Sequence, residues 1–105
     1  LDDAKVVGFV SYGDFRDSAT IAGEIFALYV LKDYYGKGVG QQLIQAAFAA
    51  LDGYQEIILW VLEDNKRAIA FYEKMGFVFD GQEKVIDLGK AVKEKRMIYI
   101  RNSNT

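Results

Sequence analysis

The segment QEIILWVLE, residues 55–63, constrains the fold more than any other stretch, because it is apolar at nearly every position. This composition is typical of a strand at the centre of a sheet, where both faces are covered. Residues 39–52 precede it and carry apolar side chains at helical spacing. Residues 64–76 come after it as a second predicted helix, which begins at an Asp or Asn cap and ends at Gly76.

Four further strands complete the predicted pattern. Their ranges are 4–13, 21–31, 77–88 and 94–102. With the central strand and the two helices, the order along the chain is β-β-α-β-α-β-β. This order predicts an α/β (α+β) fold, in which two helices pack on a mixed sheet. We expect one domain over residues 1–105, because a chain of this length suffices for a single core.

Composition excludes several classes of function. The net charge of −2 and the lack of any basic block argue against nucleic-acid binding. No apolar run approaches the roughly 20 residues needed to span a membrane. The chain has no cysteine and no histidine, which excludes Ser-His-Asp catalysis, zinc-thiolate sites and histidine-based metal sites, so we expect no metal. Nothing resembles a signal peptide, and a cytoplasmic location is therefore expected.

The stretch KDYYGKGVGQQLI, residues 32–44, places three glycines in five residues just before the first helix. A helix N-terminus attracts anions, because its first amides lack partners and its dipole is positive there. Gly36, Gly38 and Gly40 would let phosphate oxygens approach the backbone, and Lys37 adds a positive charge. The alternative is that the glycines only form a tight turn between strand and helix.

Two known nucleotide-binding motifs differ from this turn. The P-loop pattern G-x-x-x-x-G-K-[ST] is absent. The dinucleotide pattern G-x-G-x-x-G would need a glycine at position 41, where this chain has Gln41. Glu63, at the end of the next strand, could serve as the acidic residue of that pattern. A dinucleotide-binding domain therefore stays open as an alternative.

Together with the strand and helix after it, the turn resembles the GNAT superfamily of N-acetyltransferases. The stretch Tyr35-Gly36-Lys37-Gly38-Val39-Gly40 is similar to that family's coenzyme-A motif, [Q/R]-x-x-G-x-[G/A]. A second motif, an Asn followed by Ala-x-x-x-Tyr and Gly-Phe, is matched by Asn65, Ala68, Tyr72, Gly76 and Phe77. The two motifs and their strands span residues 24–77.

The resemblance implies a GNAT-like, mostly antiparallel sheet and transfer of acetyl from acetyl-CoA directly to a primary amine. It implies a set of cofactor-binding residues: Leu28, Tyr29, Val30, Tyr35, Gly36, Lys37, Gly38, Val39, Gly40, Gln41, Asn65 and Tyr72. The family has a bulge late in the strand before the turn, which by position falls in Leu28-Tyr29-Val30. The bulge would separate this strand from its neighbour and make room for the pantetheine arm of the cofactor.

The resemblance also implies three roles in the reaction. The Val30 amide would donate to the developing oxyanion. Tyr72 would hydrogen-bond the leaving thiolate, and it shares a helix face with Asn65 because seven residues separate them. Glu24, in the histone-acetylating branch's position for a general base, would take the proton of the amine through water.

The chain departs from the family in two ways. Tyr35 stands where Gln or Arg is usual, and nothing matches the family's first strand and two helices. We therefore expect an N-terminally incomplete domain, which a homodimer could complete. If its acceptor half is lacking, the protein would be a catalytically silent CoA-binding module instead. Lys66 and Arg67 are interpreted as a solvated helix face, with a contact to the adenosine 3′-phosphate as the alternative.

Overall fold

The computed structural model describes residues 7–15 and 22–101 of the chain. Within these residues, five strands and two α-helices have the bounds β1 Gly8–Asp14, β2 Gly23–Val30, α1 Val39–Ala50, β3 Glu56–Leu62, α2 Lys66–Lys74, β4 Val78–Asp87 and β5 Ala91–Ile100. The predicted order of elements is therefore confirmed. A short 3₁₀ turn at Lys32–Tyr34, which was not predicted, lies between β2 and α1. Residues 4–6, 21 and 102 of the predicted strands lie outside the described residues.

The five strands form one sheet in the order β1-β2-β3-β5-β4. Strand β3 is central, as predicted, and Ile57, Ile58 and Leu59 are each at most 1 % exposed. Three of the four strand pairs are antiparallel, and β2 with β3 is the parallel one. The sheet is thus mixed and mostly antiparallel.

Strands β2 and β3 separate after a short common stretch. Their pairing covers Gly23–Ile25 and 57–59 and ends at Ile25 opposite Leu59. Strand β2 continues to Val30 and β3 to Leu62, so both run on beyond the last paired residues. The gap between them opens at the end of the sheet where the turn before α1 and the N-terminus of α2 lie.

The predicted bulge lies earlier in β2 than Leu28-Tyr29-Val30, and that prediction was wrong. Ser11 pairs with Ala27 and Tyr12 with Ile25, which leaves Phe26 as the extra residue. The physical reason is the spacing of the core-facing side chains. Ile25 and Leu28 both pack into the core although they are three residues apart, and a regular strand would point them to opposite faces.

Both helices pack on the same face of the sheet. The buried cluster between them and the sheet contains Ile25, Ile44, Ala47, Leu51, Ile57, Leu59, Val61, Tyr72, Phe77 and Met97. At the far end of α1, the Arg101 guanidinium donates hydrogen bonds to the carbonyls of Phe48, Leu51 and Tyr54. The Phe48 carbonyl lies in the last turn of α1, where carbonyl groups lack partners within the helix. Arg101, the residue after β5, thus connects the end of that strand to the end of α1 and to the turn that follows it.

Within residues 7–15 and 22–101, no helix is long and apolar enough to cross a membrane. The same residues contain no group of three metal-ligating side chains.

Candidate functional site

The glycine turn holds two residues in the left-handed region. Gly36 has φ 77° and Gly38, the N-cap of α1, has φ 83°. A Cβ atom added to either would have no heavy atom of the described chain within 4 Å, so the backbone there faces open space. Gly40 differs, because an added Cβ would lie 3.2 Å from Cζ of Phe71. The third glycine therefore permits close packing of α1 against α2.

Helix α2 presents the second motif across from this turn. The Asn65 side chain accepts a hydrogen bond from the Ala68 amide at 3.1 Å and so caps the helix. Gly76, with φ 103°, ends it in the left-handed conformation that was predicted. Asn65 thus has a structural role whatever it does toward a ligand.

Tyr72 is nearly buried, with 9 % of its surface exposed. Its ring makes edge contacts with Phe71 and Phe77, at centroid distances of 5.6 and 5.8 Å. Burial raises the pKa of Tyr72 above the ordinary value for tyrosine, so the hydroxyl is protonated at neutral pH. Among the described residues its hydroxyl has no hydrogen-bond partner. It is therefore available to donate to a ligand.

A cavity of about 490 Å³ lies between the glycine turn and α2. Most of the predicted cofactor-binding residues line it, namely Leu28, Tyr29, Val30, Tyr35, Gly36, Gly38, Gly40, Gln41, Asn65 and Tyr72. Lys37 and Val39, which were also predicted, do not line it. The fold therefore brings two motifs that are separate in sequence to opposite walls of one cavity.

The charged residues of this first cavity are both cationic. Arg67 and Lys74 line it from α2, and no carboxylate of the described residues does so. The sequence pattern favoured a solvated face for Arg67 and assigned no role to Lys74. A cavity with this charge favours an anionic ligand.

A second cavity of about 250 Å³ occupies the gap between β2 and β3. It shares Leu28, Asn65, Ala68 and Tyr72 with the first cavity. Its single charged lining residue in the described chain is Glu94 of β5, whose side chain is 19 % exposed and lies 3.6 Å from the Lys84 ammonium. The two cavities thus meet at Tyr72 and carry charges of opposite sign.

Backbone amides of β2 face this gap. The Leu31 amide bonds to the Val7 carbonyl at 2.8 Å, and in an antiparallel ladder hydrogen-bonded and non-hydrogen-bonded pairs alternate. The amides of Leu28 and Val30 accordingly point away from β1. The ladder to β3 ends at Ile25, so these two amides face the opening without a strand partner in the described part of the sheet.

Comparison with known proteins agrees with this geometry. Residues 1–77 match the family model for the acetyltransferase (GNAT) family, which is more than half of the chain. The chain belongs to the GNAT family.

Curated GNAT relatives match most of this chain. N-alpha-acetyltransferase 30 of Schizosaccharomyces pombe is 36% identical over 80 residues, which are 73% of this chain and 53% of that protein. Peptidyl-lysine N-acetyltransferase YjaB of Salmonella typhimurium is 37% identical over 73 residues, 70% of this chain and 48% of that protein. The chain thus spans about half the length of the curated relatives it matches.

A solved structure shares the fold over nearly the whole chain. PH1933 from Pyrococcus horikoshii OT3 superimposes with a TM-score of 0.78 and is 33% identical, covering 94% of this chain and 60% of that one. The acetyltransferase of GNAT family from Streptococcus pneumoniae also superimposes, with a TM-score of 0.76 at 22% identity, covering 96% of this chain and 64% of that one. The mostly antiparallel five-stranded arrangement with two helices is therefore a GNAT fold.

Glu24, the predicted general base, lies on β2 opposite Gly13 and Ile58. It is partly buried and lines neither cavity. Its role stays a prediction, and the structure adds Glu94 as a carboxylate that does line the second cavity.

Several cavity residues were not predicted from the sequence. These are Tyr34, Ala68 as a lining residue, Phe71 and Lys74, whereas a contact of Arg67 with coenzyme A was the less favoured of its two interpretations. Arg67, Phe71 and Lys74 lie at intervals of four and three residues along α2, which places them on one helix face. That spacing could be found in the sequence, but the sequence does not show that this face of α2 lines a cavity.

Proposed function

We propose that this GNAT-family protein transfers the acetyl group of acetyl-CoA to a primary amine in a ternary complex. The observation that carries the proposal is that both family motifs line one cavity whose charged residues, Arg67 and Lys74, are cationic. Coenzyme A is an anion with a long uncharged arm, and a cationic cavity continuing into the gap between β2 and β3 suits both parts. The open turn at Gly36 and Gly38 would take the diphosphate.

The acetyl carbonyl would lie near the outward-facing amides of β2. The neutral amine nitrogen attacks the carbonyl carbon and a C–N bond forms. The C–S bond then breaks to release the CoA thiolate, and the nitrogen, positively charged after the attack, gives its extra proton to water to leave the neutral amide. Negative charge gathers on the carbonyl oxygen between these events. The Val30 amide, which has no strand partner on this side in the described sheet, is the proposed donor to it, with Leu28 next in line.

Tyr72 is the proposed donor to the leaving sulfur. It lies where the two cavities meet, and its hydroxyl has no partner among the described residues. Full proton transfer from a tyrosine of pKa about 10 to a thiolate of pKa about 8.5 is uphill, and burial makes it more so by raising the pKa of Tyr72. A hydrogen bond that stabilises the developing thiolate is therefore the proposed role.

The acceptor amine is proposed to enter the second cavity, where it would meet the acetyl end of the CoA arm. Alkylamines are mostly protonated at pH 7, so the attacking form requires loss of a proton. Glu24, acting through water, is retained as a candidate base, and Glu94 is a second candidate because it lines this cavity. The names of the two curated relatives specify protein α-amines and peptidyl lysine, and both classes of acceptor suit a cavity with a carboxylate.

Two alternatives to an acetyltransferase predict different results in binding and activity measurements. A silent CoA-binding module would bind acetyl-CoA and transfer nothing, and a dinucleotide-binding domain would prefer NAD. A homodimer and a cytoplasmic location stay predictions.

The test is thiol release from acetyl-CoA in the presence of two peptides, one with a free α-amine and one with a free lysine. We expect release above the rate in buffer with at least one peptide, together with acetylation of that peptide by mass spectrometry. Tight binding of acetyl-CoA without acetylation of either peptide, or of spermine as a third acceptor, would instead support the silent module.

A further inference from the structure

We propose that Arg67, held against the ring of Tyr35, supplies the positive charge that binds the diphosphate of CoA beside the glycine turn. This inference rests on the proposed function and adds a binding residue to it. The Arg67 guanidinium carbon lies 3.8 Å from the centroid of the Tyr35 ring, and both residues line the first cavity. A cation over an aromatic face at this distance is an attractive arrangement.

The contact fixes where the charge lies. Tyr35 immediately precedes Gly36, so a guanidinium stacked on its ring lies at the edge of the open turn. Arg67 belongs to the first turn of α2, on the opposite wall of the cavity. The stacking therefore connects the two walls at the point where the turn would receive phosphate oxygens.

No described residue neutralises the charge of Arg67. Over the part of the chain that the structure describes, no carboxylate forms an ion pair with Arg67, whereas Arg96, for comparison, is paired with Asp80 at 2.6 Å. No acidic residue within residues 7–15 and 22–101 lines the first cavity either.

Stacking and phosphate binding use different parts of the guanidinium. A guanidinium whose carbon lies 3.8 Å over a ring centroid can place its planar face against the ring and still direct its N–H donors to the side, where they can make paired hydrogen bonds with phosphate oxygens. Position 35 is also where the matched coenzyme-A motif has Gln or Arg. The Tyr35 side chain is uncharged, but its ring contacts the Arg67 guanidinium of α2 and keeps that charge beside the same turn.

The test compares Arg67→Gln with Lys66→Gln by calorimetric titration. Lys66 is the preceding residue of α2 and does not line the cavity, so the control removes the same charge from the same helix. We expect Arg67→Gln to weaken binding of CoA and of 3′-dephospho-CoA alike, by about tenfold or more. Lys66→Gln should change both affinities by less than about twofold. Circular dichroism checks that both variants are folded.

A loss confined to CoA would place Arg67 at the 3′-phosphate and overturn the proposal, as would equal effects of the two variants. If the unchanged chain bound neither ligand, the proposed function itself would fail.

A double-mutant cycle tests the role of the Tyr35 ring. Tyr35→Phe should keep the affinity, Tyr35→Leu should lower it about as much as Arg67→Gln, and the pair Tyr35→Leu with Arg67→Gln should lose little more. Additive losses would contradict the coupling.

Discussion

Tyr72 joins two properties that rarely occur together in a core residue. Its ring is packed against Phe71 and Phe77, while the residue also lines both cavities. Packing fixes the position of the hydroxyl, and burial raises the pKa of Tyr72, which keeps its proton in place. A positioned and protonated donor is what a departing thiolate requires.

Replacing Tyr72 by Phe should therefore separate chemistry from binding. The ring contacts are retained, so we expect the Kd for acetyl-CoA to stay within about twofold, whereas kcat should fall by roughly 10²-fold. Tyr12→Phe is the matched control, since Tyr12 is 43% exposed and lines neither cavity. Steady-state kinetics with titration of acetyl-CoA measures both quantities. An unchanged kcat would remove Tyr72 from the mechanism.

The site residues differ in how well their roles could be predicted from the sequence. Asn65 and Tyr72 were found because a motif with fixed spacing contains them. For Arg67 the sequence favoured a solvated helix face and left a contact with the 3′-phosphate as the alternative. Its contact with Tyr35 was not predicted, because it joins residues 32 positions apart. Glu24 was placed by its offset along the chain, which says nothing about the face of the strand on which it lies.

At the scale of elements, the turn before α1 offers a direct test of its role. Gly38 has φ 83°, so most substitutions would strain the backbone as well as obstruct the cavity. Asparagine tolerates the left-handed conformation, and its side chain would enter the open space above the turn. Gly89, in the β4–β5 hairpin, has φ 93° and equally open surroundings, but it lies outside both cavities.

We expect Gly38→Asn to weaken acetyl-CoA binding by about tenfold or more, because the amides of the turn would be screened from the diphosphate. Gly89→Asn should leave the affinity unchanged. Thermal denaturation should give similar, small losses of Tm for both. Equal affinities for the two variants would mean that the turn is only a tight connection between strand and helix.

The elements themselves were largely predictable from the sequence. The cap at Asn65 and the glycine at position 76 defined α2 because caps are local chemistry. The bulge at Phe26 was misplaced, since it depends on which side chains of β2 reach the core. The 3₁₀ turn at Lys32–Tyr34 is a single turn and leaves no periodic pattern to detect.

At the scale of the whole molecule, the sheet order creates the site. Placing β3 beside β2 in parallel, and ending that pairing at Ile25 and Leu59, leaves a gap that the two helices flank from one side. Sequence indicated a central β3 from its apolar composition, but composition alone cannot show where two strands part. Both cavities depend on that point, and so does their meeting at Tyr72.

Calorimetric titration of the chain with acetyl-CoA, with NAD as the control ligand, tests most directly whether the first cavity binds coenzyme A. The structure and the family together predict micromolar binding of acetyl-CoA, stoichiometric with the chain, and no measurable binding of NAD. The affinity should fall as salt rises, because cationic residues face an anionic ligand. Binding of NAD in preference to acetyl-CoA, or of neither, would contradict the assignment of the first cavity to coenzyme A.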